Sequence, residues 1–125
     1  MPEQSRKKSH GVVYTPSFLV TTILNLTDYR GARIRRKHVM ENSCGEGSFL
    51  GEVVERYCAV CASQAASTNE IKRELETYVH GLEIDPEALR RCRVRLNQVA
   101  EKYGVVGVAW DVRLGDATTN SRYDM

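Results

Sequence analysis

Glu41-Asn42-Ser43-Cys44-Gly45-Glu46-Gly47-Ser48-Phe49-Leu50 is the stretch on which the fold turns. Just before it, His38, Val39 and Met40 favour a short extended strand that ends around Glu41. Residues 42–47 are small or polar and carry two glycines, the composition of a tight turn. Just after it, Leu50, Val53, Val54, Tyr57, Cys58 and Cys61 recur at helical spacing, so a helix is expected from about Ser48 to about Ala62. Strand, glycine turn and helix in that order form the opening half of a βαβ unit.

Working outward, residues 63–69 are read as a loop and Ile71 to Glu76 as a short helix. Tyr78 to Ile84 is the second expected strand, and Asp85-Pro86 supplies a capping side chain followed by the residue preferred at the first helical position. Leu89, Cys92, Leu96, Val99 and Tyr103 give the next helix one apolar stripe, and Gly104 stands where a glycine stops a helix. The arginines at 90, 91, 93 and 95 then fall mostly on its solvated sides, and a third strand is expected within Val105 to Leu114. Upstream, Thr15-Pro16 opens a helix through Leu19, Val20, Ile23, Leu24 and Leu26 that ends near Gly31, and residues 1–13 are expected to be a flexible lead-in. Strands alternating with helices imply an α/β fold, with a parallel sheet ordered 3-2-1 and right-handed crossovers. Ligands of such sheets sit at the carboxyl ends of the strands.

Composition narrows the class. The 125 residues are 42% hydrophobic and 27% charged, which suits one globular domain and excludes a disordered chain. No apolar run approaches the ~20 residues of a membrane-spanning helix, and Met1 to His10 lack the apolar core of a secretory signal, so a cytoplasmic location is expected. Cys58 and Cys61 form a C-x-x-C that is open to a metal or redox reading. Their place in the apolar helical pattern, with no second pair to complete a zinc site, favours two buried helix cysteines. The net charge of +2 is too small to announce a nucleic-acid surface. The basic stretch Arg30, Arg33, Arg35, Arg36, Lys37 is read as a solvated loop in preference to a phosphate contact.

Each expected strand ends on an acid: Glu41 after the first, Glu83 and Asp85 at the second, Asp116 after the third. A dinucleotide is a poor fit. Gly45 and Gly47 satisfy two positions of G-x-G-x-x-G but Leu50 occupies the third, and Glu41 and Glu46 would repel a pyrophosphate. A cationic sulfonium with a zwitterionic amino-acid tail, a ribose and an adenine fits better, because the three acids can serve its ammonium, its ribose hydroxyls and its adenine amine in turn. That ligand is S-adenosylmethionine. The plainer alternative is that Glu83 and Asp116 are ordinary solvated strand-end acids.

The chain also resembles a family. Residues 41–50 are similar to the first motif of the amino-methylating DNA methyltransferases, commonly D/E-P-A-C-G-x-G-x-F-L, with Asn42-Ser43 in place of Pro-Ala. Gly81-Leu82-Glu83-Ile84-Asp85-Pro86 is similar to their second motif and Gly115-Asp116-Ala117 to their third. Gly11-Val12-Val13-Tyr14-Thr15-Pro16 resembles the motif that precedes the first strand in the gamma-ordered, TaqI-like subgroup. Four motifs in order and spacing cover most of the chain.

That resemblance implies a Rossmann-like class I methyltransferase fold with S-adenosylmethionine as cofactor. By the same resemblance, Thr15 would bind the methionine carboxylate beside Tyr14, though Thr15 also serves as a helix cap. Glu41 and the Ser43–Cys44–Gly45 backbone, with Gly47 in the same turn, would hold the methionine part. Glu83 would take the ribose, Ile84 would pack on the adenine and Asp116 would accept its amine. Asp85 is read as a helix cap before a ribose ligand, and Glu83→Gln is expected to cost less affinity than Glu83→Ala because it keeps an acceptor. The family's N/D/S-P-P-Y/F/W loop, which grips an extruded adenine, is absent from the sequence, as is a target-recognition domain. The resemblance therefore implies the N-terminal half of a longer adenine-N6 methyltransferase of a restriction–modification system, inactive alone. DNA would be engaged by the remainder, and an exposed sheet edge would favour dimerisation. A methyltransferase acting on RNA or protein and a non-catalytic cofactor-binding or assembly module stand as alternatives.

Overall fold

The computed structural model describes residues 23–25, 29–42 and 44–116. A short 3-10 turn, Ala32–Ile34, leads into β1 (Val39–Glu41), α1 (Ser48–Ser63), α2 (Thr68–Tyr78), β2 (Val79–Glu83), α3 (Pro86–Glu101) and β3 (Asp111–Leu114). The sheet is parallel and ordered β1-β2-β3, with Val39 beside Val79, Glu41 beside Gly81, His80 beside Asp111 and Glu83 beside Leu114. The α/β class, the parallel pairing and the strand order are as the sequence implies. Among the described residues β1 pairs with β2 alone. Ile23–Asn25 are helical, inside the span read as an N-terminal helix; its opening at Thr15-Pro16, and the lead-in over residues 1–13, lie outside the described residues.

One core holds these elements together. Leu50, Val53, Val54, Tyr57, Cys58 and Cys61 of α1 pack with Leu89, Cys92, Leu96 and Ala100 of α3, with Ile71 and Leu75 of α2, and with Val79 and Val112 of the sheet. Both cysteines of the C-x-x-C are thus buried on the apolar face of α1, and burial pushes their thiols up to about 12 for Cys58 and about 11 for Cys61. Gly81 sits where β2 meets α1: a Cβ there would lie 2.8 Å from Cδ1 of the fully buried Leu50. A side chain at that point would force the Leu50 side chain to move.

Three features depart from the sequence expectations or, as β3 does within its expected window, sharpen them. Helix α2 starts before Ile71, because Ser67 caps it: its hydroxyl accepts from Glu70 N at 3.1 Å while the Glu70 carboxylate accepts from Ser67 N at 3.3 Å. This reciprocal capping box satisfies donors that the helix itself leaves free. The helix also runs on through Tyr78, the residue expected to open the second strand. Strand β3 starts only at Asp111. Val105 and Val108 are buried as an irregular segment across the core, and Gly107 within it has φ 72°. Third, Arg35 is tied down instead of solvated. Its Nε and Nη2 donate to Glu74 Oε1 and Oε2, both at 2.9 Å, and Nη1 reaches Gln64 at 2.7 Å. Tyr57 joins this knot by donating to Glu74 at 2.7 Å and accepting from Arg36 N at 3.0 Å. The basic stretch thereby anchors the entry to β1 onto α1 and α2.

Candidate functional site

The carboxyl ends of the three strands converge on one residue. Glu83, the last residue of the middle strand, is 1% exposed. Its Oε1 accepts from Gly45 N at 2.7 Å, across the turn after β1, and its Oε2 accepts from Asp85 N at 3.0 Å, in the turn after β2. Its main-chain carbonyl accepts from Gly115 N at 3.0 Å, in the turn after β3. Beside it, Cys44 N donates to Leu82 O at 2.9 Å. All three of these turns therefore hang on the end of β2, two of them through a single carboxylate.

The glycines are required by geometry. Gly45 has φ 53° and Gly47 has φ 91°, left-handed values that side chains rarely adopt. A Cβ on Gly47 would also lie 3.1 Å from Cys92 Cα and 3.2 Å from Cys92 Sγ. The turn must lie flat against α3 for α1 to begin at Ser48. Cys44 is buried, and its thiol is raised first by a hydrogen bond with Cys92 and then by burial. Glu46 is no free anion in this turn. Arg91 of α3 pairs with it at 3.0 Å, so part of the negative charge that argued against a pyrophosphate is neutralised.

Around this centre the remaining candidates lie as follows. Ile84 follows Glu83 with 56% of its surface exposed. Asp85 caps α3, its Oδ1 accepting from Glu87 N at 3.0 Å, which is the role the sequence favours for it. Glu41 closes β1, half-buried, and Asp116 lies exposed one residue beyond Gly115. Tyr14, Thr15 and Ser43 lie outside the described residues. Sequence reasoning misses Arg91, because the arginine run from 90 to 95 looks uniformly solvated; its partner Glu46 lies 45 positions away and no local pattern signals the pair. Among the described residues no cluster of His, Cys, Asp and Glu could hold a metal, and no helix is long and apolar enough to cross a membrane.

A glycine turn, a buried acid at the end of the middle strand and an acid after the third make up the candidate site. Comparison with known proteins adds a family to it. Residues 3–121 match the family described as N-6 DNA Methylase. The chain belongs to the N-6 DNA methylase family. A related member is the type II methyltransferase M.BstVI of Geobacillus stearothermophilus, 32% identical over 105 residues, which are 83% of this chain and 19% of that protein. The chain thus spans about a fifth of that relative. Two solved structures share the fold. The ATP-dependent Type ISP restriction-modification enzyme LlaBIII, solved bound to DNA, matches with a TM-score of 0.66 at 14% identity, over 84% of this chain and 8% of that one. A nuclease-deletion mutant of the Type ISP enzyme LlaGI, in complex with a DNA substrate mimic, matches with a TM-score of 0.59 at 16% identity, over 84% of this chain and 9% of that one. Within the N-6 DNA methylase family, then, this chain carries the three-stranded unit with its glycine turn and strand-end acids.

Proposed function

We propose that this chain is the S-adenosylmethionine-binding part of an adenine-N6 DNA methyltransferase that belongs to a restriction–modification system. The observation that carries the reading is Glu83, a buried carboxylate at the centre of three strand-end turns. Each of its oxygens accepts one bond from the backbone, and a carboxylate oxygen has two acceptor sites, so both keep capacity for a ribose hydroxyl. Ile84 offers an apolar face next to it for a purine, and Asp116 an acceptor for an exocyclic amine. Glu41 stands where an ammonium would be received, and Ser43, Cys44, Gly45 and Gly47 form the turn around the methionine part. Tyr14 and Thr15 are assigned to the methionine carboxylate on the sequence motif. S-adenosylmethionine, when bound, supplies an electrophilic methyl group on a sulfonium. The protein's part in these 125 residues is to bind and orient it. The sequence holds no Asn-Pro-Pro-aromatic loop, so this chain is assigned no catalytic residue and no transfer activity of its own. DNA binding is assigned to segments such as those that make its relatives so much longer.

Titration calorimetry tests the reading. S-adenosylmethionine should bind the chain and NADH should not. Glu83→Ala should weaken binding about ten- to a hundredfold, from hydrogen bonds to a charged acceptor worth roughly 1.5–3 kcal/mol. Asp85→Ala should lower the melting temperature and leave affinity nearly unchanged. Binding of NADH in place of S-adenosylmethionine at millimolar concentration would sink the cofactor assignment, and loss of binding in Asp85→Ala alone would move the ribose to the other carboxylate.

A further inference from the structure

We infer that Glu83 is a positioning residue as well as a ligand contact: its carboxylate latches the glycine turn to β2, so that the methionine side of the pocket is shaped by the residue assigned to the ribose. The inference rests on the S-adenosylmethionine reading above and extends it from one contact to the assembly of the pocket. Both carboxylate oxygens face backbone N–H donors, Gly45 N at 2.7 Å and Asp85 N at 3.0 Å, from two different turns. The bond from Gly45 N is buried and the one from Asp85 N is part-buried, so it is at Gly45 that water cannot readily replace a lost acceptor. A left-handed glycine turn with φ 53° at Gly45 is held in register from outside by Cys44 N on Leu82 O and Gly45 N on Glu83. The second of these is the one that a side-chain change can remove.

This arrangement limits how well glutamine can replace Glu83. Both neighbours donate, and glutamine offers one acceptor oxygen and one NH2 donor. Whichever way the amide turns, its NH2 meets a backbone N–H, buried at Gly45 and part-buried at Asp85. Glutamine in place of Glu83 would keep an acceptor for the ribose only by opposing a donor at one of the two turns, and the turn would move.

Two measurements test the latch. The first is amide hydrogen exchange in the ligand-free 125-residue protein, followed by NMR. Gly45 and Asp85 N–H should be protected in the native sequence, and Glu83→Gln should speed exchange at one or both by roughly tenfold or more relative to the α3 core amides, as expected from one buried donor left unpaired. Exchange at both sites that is equally fast with Glu and Gln would overturn the latch. The second is calorimetry with S-adenosylmethionine and with its 2′,3′-dideoxy analogue, which has no ribose hydroxyls to offer Glu83. If the latch shapes the turn, Glu83→Gln weakens binding of the dideoxy analogue by about tenfold or more, for the same reason. A penalty seen with S-adenosylmethionine that vanishes with the analogue means that Glu83 acts through the ribose alone, and the latch is wrong. Should Glu83→Gln fail to fold, Glu83→Asp, with two acceptors on a stem one methylene shorter, carries both comparisons. If S-adenosylmethionine does not bind the native protein, the cofactor reading fails, and the exchange measurement still decides the latch.

Discussion

The two ends of the three-stranded sheet are both polar, and they are polar in different ways. At the carboxyl ends a single side chain, Glu83, accepts from the backbone of two turns, and its own carbonyl accepts from a third. At the amino ends the polar groups bond side chain to side chain, between neighbouring strands and along β3. His38 Nδ1 lies 2.8 Å from His80 Nε2, His80 Nδ1 lies 2.6 Å from Asp111 Oδ2, and Arg113 Nε donates to Asp111 Oδ1 at 2.6 Å. A carboxylate only accepts, so His80 Nδ1 carries the donated proton there. The amino-end chain ties strands that the ladder already holds in register. The carboxyl-end bonds fix the turns, and turns are what a ligand meets. Side-chain polarity staples at one end and shapes at the other.

Substitutions at the two ends should separate these roles. The largest effect is expected for Glu83→Ala, which leaves one buried and one part-buried N–H donor unpaired and should lower unfolding stability by about 2–4 kcal/mol in denaturant titration. A loss below about 1 kcal/mol would place that carboxylate in the same class as the amino-end groups. Gly47→Ala comes next. A left-handed φ with a Cβ 3.1 Å from Cys92 Cα should cost about 2–3 kcal/mol and should weaken S-adenosylmethionine as well, since the turn must shift. Asp111→Ala removes the partner of both His80 and Arg113 and should cost about 1–2 kcal/mol with cofactor affinity unchanged. A fall in affinity there would break the separation of the two ends.

The smallest effect concerns pH. Glu74 is held below the usual carboxylate range chiefly by the hydrogen bond from Arg35, with Tyr57 adding to it against the opposing effect of burial. A depressed carboxyl stabilises the fold fully above its unfolded pKa, and that contribution is lost as pH falls through the folded value. Wild-type stability should therefore decline on acidification below the ordinary carboxylate range of about 4.3, and the Glu74→Gln variant should be less stable at neutral pH with a shallower acid decline. Melting curves between about pH 3 and pH 7 measure both, and parallel curves for the two proteins would contradict it.

Much of this is legible in the sequence, and the limits have physical causes. Helix α1 announces itself through the spacing of Leu50 to Cys61, and α3 through Asp85-Pro86 and the stripe from Leu89 onward, because periodic burial writes a periodic pattern. Strand β3 can be placed only within the window from Val105 to Leu114. Val105 and Val108 are apolar because the core covers them, whatever their backbone does. The start of α2 is available in Ser67 and Glu70, three positions apart, and a capping box is a local signal. The position of Glu83 at a strand end is legible. Its bond to Gly45, 38 positions away, is not, for the same reason that hides Arg91 with Glu46 and Arg35 with Glu74. Pairs distant in sequence leave no spacing to read.

The four cysteines give the molecule a set of internal timers. Cys44, Cys58, Cys61 and Cys92 are all free thiols and all buried. The thiolate is the reactive form, and burial holds Cys58 and Cys61 well above neutral pH, so an alkylating reagent reaches them only when the structure opens. Cys44 lies in the glycine turn and Cys58 in the middle of α1, so the two would register different openings. Alkylation at Cys44 that outpaces Cys58 would report the turn lifting by itself, and a ligand that closes the turn would slow the first clock while the second ran on.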